Sequence, residues 1–533
     1  AQLCTRGATF ATTGGFMNVA LLPRTIWRGP SESRRGWHMS LWLSRRWQSS
    51  TPGVEEATVY LGLGSNMGNR HDNILKAYQG LRELGTVQAS SFLYETPPMY
   101  IEDQPHFLNA AVRLCTSLDP GTLLDRLKDL EVQIGRVKSQ RWGPRGVDID
   151  ILMYDDLAEA GAERAGRREG GPARRTKRMR VVSPSGRPLE LPHPRLADRE
   201  FVLRPLADLD PHLMLRGGGG AGGQEVAAAE LLARGWGTGG GNAVRVLPAG
   251  EGGTDTRLWP LGRRTYVMGI LNVTPDSFSD GGVDGGGGVG AAVERALRMV
   301  EEGADIIDIG GESTRPNAAE VSVEEELSRV LPVIRGMRAA GVGCAVSVDT
   351  RRAAVARAAV AAGADVVNDV SGGDFDPKMM AAVAELGVPF VMMHMRGTPA
   401  TMTKLTDYED VAIDVADDLA RKSQSAEAAG IPRWMHILDP GIGFAKTHSQ
   451  SLLLIQRLRE VEQRAGRCPL LVGPSRKRFV GEVCGEADPR RRDWGTAGAC
   501  CAAVERGAAV VRVHCVAGVR QALAMVNAVR GAG

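Results

Sequence analysis

Nowhere in its 533 residues does this chain reach the roughly 18–20 consecutive apolar residues that a membrane-spanning helix needs, so no helical crossing of a bilayer is expected. Its eight cysteines form no CxxC pair, and Cys500 and Cys501 are adjacent, an arrangement unsuited to a common partner. A disulfide framework is not expected in so long a chain, and a reducing compartment follows. Neither familiar nucleotide loop is present: Gly62, Gly64 and Gly68 do not satisfy GxGxxG, and there is no GxxxxGK(S/T). Acids are nearly missing from residues 1–54, where seven arginines face Glu32 alone. That segment's charge of +6 exceeds the whole chain's +3 and leaves the rest at −3, so the basic balance makes no case for nucleic-acid binding by the body. The Arg-rich stretch 157–190 contains no aromatic residue and so lacks the stacking surfaces of a single-strand binder or RNA scaffold.

What is present divides the chain, whose length predicts two to four domains. Residues 1–54 are rich in Arg, Ser and Thr and lack a compact apolar stretch with a small-residue cleavage site. This is the composition of an organelle transit peptide rather than a secretory signal. Residues 55–212 alternate apolar runs with helical stretches and carry an exposed insertion at 157–190, rich in Arg, Gly and Ala. GGGGAGG and GTGGGN mark residues 213–258 as a flexible linker around a short helix at 224–234. Within 259–533 eight apolar runs recur, each followed by polar residues and a helix-forming stretch: YVMGIL, ADIIDI, GCAVSV, ADVVN, PFVMM, MHIL, LLVG and AAVVRV. Eight strand–helix units predict an α/β (β/α)8 TIM barrel, with an open doubly wound sheet as the alternative.

Chemistry in such barrels gathers at the carboxyl ends of the strands. There the sequence puts Asn272, Asp276, Glu312, Thr314, Arg315, Asp349, Asn368, Asp369, His394, Asp439, Lys446, Ser475, Arg476, Lys477, Arg512 and His514. Any one could be a solvated surface group; polar residues at all eight ends are harder to assign to solvation. The cations point to an anion such as phosphate or pyrophosphate, while Asp349 and Asp439 could hold a polar heterocycle by paired hydrogen bonds.

In the first half, RWGPRGVDIDI (141–151) sets Asp148 and Asp150 two apart in an apolar run, so on a strand both carboxylates face the same way. Like charges that close call for a cation or a shared proton. Arg136, Lys138, Arg141 and Arg145 crowd them from upstream. Paired carboxylates beside phosphate-seeking arginines describe a Mg2+–nucleotide site, because magnesium takes one or two carboxylates and completes its shell with water and phosphate oxygens. An exposed strand face is the plain alternative.

Longer motifs carry a resemblance. LGLGSN, SSFLYETPPMYIEDQPHFLNAAV, EVQIGRVKSQRWGPRGVDIDI and LPHPRLADREFVLRPL resemble 6-hydroxymethyl-7,8-dihydropterin pyrophosphokinase. GILNVTPDSFSDGG, DIGGESTRP, SVDT, VNDVSGG, MMHMRGTP, LDPGIGFAK, LVGPSRKRFVG and RVH resemble dihydropteroate synthase. Together they resemble the fused, organelle-targeted folate-synthesis family of plant type. The resemblance implies an α+β ferredoxin-like domain ahead of the barrel and mitochondrial rather than plastid or cytosolic residence. It also implies homo-oligomers formed through the barrel. Partners are small molecules, with no nucleic acid and no membrane.

Carried over residue by residue, it implies that Asp148 and Asp150 bind Mg2+ on the phosphates of ATP, the co-substrate. Glu131, Arg136, Lys138, Arg141, Arg145, His193 and Arg199 surround that nucleotide. Thr96, Pro97, Met99 and Asn109 line a pterin pocket in which Phe107 and Phe201 sandwich the ring and Trp142 closes over it. Lys138 stands where the family usually has arginine, and Phe107 where tyrosine is common. In the barrel, Asp349, Asn368, Asp439 and Lys477 bind pterin between Met393 and Phe444. Asn272, Arg512 and His514 hold pyrophosphate, Asn272 through Mg2+, and Thr314, Arg315 and Ser475 surround p-aminobenzoate. Cys515 replaces a common aspartate. The implied reactions are pyrophosphoryl transfer from ATP to 6-hydroxymethyl-7,8-dihydropterin, then condensation of the product with p-aminobenzoate to dihydropteroate. A pterin-binding methyl-transfer barrel fused to a nucleotide-binding domain is the competing expectation.

Overall fold

Strand β1 (Ala57–Ser65) is buried along almost its whole length because it is the middle of a sheet, antiparallel both to β4 (Phe107–Thr116) and to β5 (Asp148–Asp156). The computed structural model describes residues 56–99, 101–137, 143–156, 178–216, 225–236, 241–251, 255–274, 288–313, 320–398 and 400–531. The expected transit peptide, and Lys138, Arg141, Trp142, Asp276, Thr314 and Arg315 among the candidate residues, lie outside them. Val59, Leu61 and Leu63 project to one side of β1 and pack with Ile74, Leu81, Leu123 and Leu127. Those partners come from the helices Arg70–Leu81 and Pro120–Ile134. Each helix opens on an Asx cap: Asn69 accepts from the Asp72 N–H, and Asp119 from Gly121 and Thr122. On the other side Tyr60 and Leu152 pack on Leu203 and Leu206 of the helix Glu200–Leu209. The expected α+β layering is present.

β2 (Thr86–Ser90) and β3 (Leu93–Thr96) also pair with β4. Two short hairpins follow, β6 (Met179–Val182) with β7 (Pro188–Leu191) and β8 (Met214–Arg216) with β9 (Glu225–Ala227). The first spans the C-terminal end of the expected exposed insertion; Ser183 and Ser185 Oγ donate to Asp125 at 2.9 and 2.5 Å, so this end of it is held against the Pro120–Ile134 helix.

The expected linker needs correction. Beyond the helix Ala228–Trp236, β10 (Val244–Glu251) and β11 (Thr256–Pro260) form a hairpin whose first strand pairs with β3, extending the N-terminal sheet to seven strands. Its other side closes the barrel floor, where Leu247, Ala249 and Trp259 pack beneath Tyr266, Ile306, Ala345 and Val366 at the starts of barrel strands. Trp259 stacks on Tyr266 with centroids 4.3 Å apart and planes 10° from parallel. Glycine-rich runs at its borders signalled a tether; the apolar alternation in VRVLPAG and TRLWP is what the fold uses. Residues 55–533 form one unit.

The barrel closes through β12 (Tyr266–Asn272), β13 (Ile306–Gly310), β14 (Ala345–Asp349), β15 (Val366–Asp369), β16 (Phe390–Met393), β17 (His436–Asp439), β18 (Leu470–Val472) and β19 (Ala508–Val513), all parallel. The eight apolar runs are the eight strands. Their Val-, Ile- and Leu-rich character follows from burial on both faces.

Candidate functional site

Two cavities collect the candidate residues, one in each half. The first, about 630 Å3, opens on the second face of the N-terminal sheet. Its floor exists because small residues face one another there: Gly62 and Gly64 on β1 stand opposite Ala111 and Asn109 on β4, and opposite Asp150 and Asp148 on β5. A Cβ on Gly64 would come within 3.3 Å of Asn109 Oδ1. Asp148 and Asp150 therefore do share a face, as the spacing predicts, and both line the cavity.

Cations converge on the first carboxylate. Gly135 ends the Pro120–Ile134 helix in the left-handed conformation at φ 111°, turning the chain so that Arg136 reaches back. Arg136 Nη1 donates to Asp148 Oδ1 at 2.7 Å and also to Glu131, and Arg145 Nη1 donates to Asp148 Oδ2 at 2.6 Å. Burial pushes Asp148 up, but Lys128, Arg145 and Arg136 outweigh it and hold the carboxyl below its usual range. Asp150 goes the other way, raised by its depth and then by the charge of Asp148, although its side chain is 45% exposed to the cavity. His193, at the same rim, is lowered by burial. Its Nδ1 accepts the Arg195 N–H at 3.2 Å, so a neutral ring carries its proton on Nε2.

Phe107 and Phe201 also line the cavity, with Arg145 5.9 Å and Arg199 5.6 Å from the respective ring centroids. In the same wall Asn109 Nδ2 donates to Thr96 Oγ1 at 2.8 Å, beside Pro97 and Met99. The structure thus brings together Thr96, Pro97, Met99, Phe107, Asn109, Arg136, Arg145, Asp148, Asp150, His193, Arg199 and Phe201. Glu131, 2% exposed, stands behind them and accepts the Ile149 N–H at 2.7 Å. Missing from the sequence reading were Gly62, Gly64, Gln104 and Lys128, all lining the cavity. Lys128 precedes Glu131 by three residues on one helix face, which was the available signal.

The second cavity, about 1460 Å3, lies at the carboxyl ends of the barrel strands and is lined by Asn272, Asp349, Asn368, Met393, Asp439, Phe444, Ser475, Lys477, Arg512 and His514. Arg512 bridges two carboxylates, with Nε to Asp308 Oδ2 at 2.6 Å and Nη2 to Asp349 Oδ2 at 2.7 Å; Asn368 Nδ2 donates to the same Asp308 oxygen at 3.1 Å. Asp308, fully buried, was missed although it interrupts an apolar run just as Asp148 does. Burial, with Asp308, Glu326 and Asp369 nearby, raises Asp349 to about 7 despite Arg512. Asp439 is raised by burial against the pull of Lys477, and Lys477 is lowered by burial to about 8. The Lys477 ammonium lies 4.3 Å from the Phe444 ring centroid. Ser475 Oγ accepts the His514 N–H at 3.1 Å and is 2.9 Å from its Nδ1. Arg476, one of the cations taken to suggest an anion, is instead held by both oxygens of Asp493 at 2.7 and 2.8 Å.

Residues 60–211 match the family described as 7,8-dihydro-6-hydroxymethylpterin-pyrophosphokinase, and residues 268–514 the family described as pterin binding enzyme. The folate synthesis bifunctional protein, mitochondrial, of Arabidopsis thaliana is 41% identical over 86% of this chain and 80% of its own length. The chain belongs to this family. As a bifunctional folate-synthesis protein it is a transferase with a pyrophosphokinase half and a dihydropteroate synthase half. The protein of the same description from Pisum sativum is 40% identical over 86% of this chain and 87% of that one. A solved Plasmodium falciparum pyrophosphokinase–synthase with pteroate shares the fold across both halves, at TM-score 0.68 and 22% identity, covering 89% of this chain and 98% of that one. Family membership sets aside the methyl-transfer alternative.

Proposed function

We propose that the first cavity takes ATP and 6-hydroxymethyl-7,8-dihydropterin and moves the β,γ-pyrophosphoryl group onto the pterin's hydroxymethyl oxygen, releasing AMP. The second then condenses that product with p-aminobenzoate, releasing pyrophosphate and giving dihydropteroate. The observation that carries this reading is the convergence of Asp148, Asp150, Arg136 and Arg145 in one cavity that the rings of Phe107 and Phe201 also line.

Asp148 and Asp150 fit a divalent ion: two carboxylates on one strand face, with the charge of Asp148 raising Asp150, form an oxygen donor pair that a cation relieves. They would hold Mg2+, which supplies charge neutralisation on the triphosphate, and Asn272 is the corresponding candidate in the barrel. Arg136 and Arg145 present guanidinium groups to phosphate oxygens, and Glu131 fixes Arg136 in place. Glu131, His193 and Arg199 lie beside the nucleotide, and Lys138 and Arg141 belong to the same role. Phe107 and Phe201 offer flat apolar faces to the pterin, while Asn109 and Thr96 meet its polar edge and Trp142 covers it. Positioning and charge neutralisation are the main sources of rate.

In the barrel, Asp349, Asn368, Asp439 and Lys477 recognise the pterin, with Met393 and Phe444 as walls. Arg512 and His514 stabilise the pyrophosphate as the carbon–oxygen bond to the methylene breaks, and the ring delocalises the charge that develops. Ser475, Thr314 and Arg315 hold the aminobenzoate. The residues 1–54 act as a mitochondrial transit peptide, a reading supported by the mitochondrial descriptions of the Arabidopsis and pea relatives, and the chain associates with itself through the barrel. The test is to supply hydroxymethyl-dihydropterin, ATP, Mg2+ and p-aminobenzoate and to follow AMP and dihydropteroate. Formation of neither product rejects the proposal; dihydropteroate from pre-made pterin pyrophosphate without ATP supports the barrel's role separately.

A further inference from the structure

Lys128 belongs to none of the motifs that identify the first cavity, yet it sits among its charged groups. It lies on the helix Pro120–Ile134, three residues before Glu131, on the face turned to β5. Its Nζ donates to Glu131 Oε1 at 2.6 Å and to the Ile149 carbonyl at 2.9 Å. That leaves the ammonium 3.8 Å from Asp148 Oδ1 and 4.0 Å from Asp150 Oδ1, with its side chain 22% exposed. Asp148 also has Arg136 and Arg145; for Asp150 the ammonium of Lys128 is the one ion-pair partner among the described residues.

We infer that Lys128 is the resident counter-ion of the Asp148–Asp150 pair and a positioning residue for the metal: it stabilises the carboxylates in the empty cavity and opposes a divalent ion that arrives without nucleotide. This rests on the metal–nucleotide reading given above. An ammonium about 4 Å from both carboxylates repels a divalent ion placed between them, the more strongly at the reduced dielectric of such a site. A triphosphate reverses that balance, since its negative charge offsets the repulsion and its oxygens give the ammonium new acceptors. The lysine thereby makes metal binding conditional on the substrate that uses the metal. Its removal takes one donor from the Ile149 carbonyl and the ion-pair partner from Asp150, while Glu131 keeps the Ile149 N–H at 2.7 Å and Arg136 on its other oxygen.

The test titrates the full chain with Mn2+ in the absence of nucleotide, reading free Mn2+ by its paramagnetic resonance, for the unaltered protein, Lys128→Met, Lys128→Arg and Asp150→Asn. Lys128→Met is expected to bind Mn2+ about tenfold more tightly at low salt, Lys128→Arg to match the unaltered protein, and the difference to shrink when a non-hydrolysable ATP analogue is present. A lysine with a merely structural role would leave the affinity unchanged or weaken it, and either result for Lys128→Met overturns the inference. Asp150→Asn separates the two layers. If it binds Mn2+ like the unaltered protein, the metal reading of the pair is wrong; if it loses Mn2+ while Lys128→Met gains nothing, only the role of the lysine is wrong. Dihydropteroate formation from pre-made pterin pyrophosphate serves as the folding control for every variant.

Discussion

Glu427, near the end of the barrel helix Val411–Ala429, accepts hydrogen bonds from both the backbone N–H and the Oγ of Ser90, at 2.9 and 2.8 Å. Ser90 is the last residue of β2 in the N-terminal sheet and is completely buried. The Arg433 N–H donates to the same hydroxyl at 2.8 Å, and the guanidinium groups of Arg245 and Arg433 lie 3.3 and 4.5 Å from the ring centroid of Phe92. A free tether between independent catalysts would have none of these contacts.

Glu427→Ala should therefore weaken both halves. It leaves the buried Ser90 N–H without its acceptor, which costs about 1–3 kcal/mol. The expected result is a lower denaturant midpoint, with the two activities lost together in one transition. Loss of only the synthase activity at the new midpoint would contradict the joint.

Asp148→Ala removes the carboxylate that anchors Arg136 and Arg145. AMP formation should fall at least about a hundredfold, as for loss of a principal electrostatic group. Dihydropteroate production from pre-made pterin pyrophosphate should be unchanged. Equal losses in both assays would mean that the substitution acts through folding.

Gly64→Ala tests the cavity floor. The added Cβ meets Asn109 Oδ1 at 3.3 Å, so Asn109, which donates to Thr96, must give way by a few tenths of an ångström. The KM for the pterin in the first reaction should rise several-fold while the thermal midpoint moves little, because nothing in the core is displaced. An unchanged KM would remove Asn109 from the recognition site.

Asp349 supplies a pH signature. Its folded-state proton is kept up to about 7, against 3.8 in a free side chain, so the stability this group contributes is complete below about 3.8 and is lost as pH climbs toward 7. Asp349→Asn should flatten the fall of Tm across that window relative to the unaltered protein. Identical slopes would show that burial does not perturb Asp349.

Much of the architecture could be read in advance. The eight apolar runs became eight strands because each is long enough to cross the barrel and too apolar to lie anywhere but between two packed layers. Asp148 and Asp150 could be placed on one face because strand periodicity leaves no other choice. Asp308 and Lys128 escaped notice for different reasons. The first sits inside an apolar strand where its partner Arg512 is 204 residues away, and the second takes its meaning from β5, twenty residues later in sequence.

By itself, then, the sequence determined what is local and periodic: the strand–helix repeat, the facing carboxylates, and the motif blocks that place the chain in its family. Only the tertiary structure decided the joint. Leu247, Ala249 and Trp259 lie among glycine-rich borders that read as a linker, yet they plug the barrel while β10 completes the neighbouring sheet. The reason is that a hairpin's two faces are chosen by the apolar surfaces waiting on either side of it, and those surfaces come from residues far along the chain.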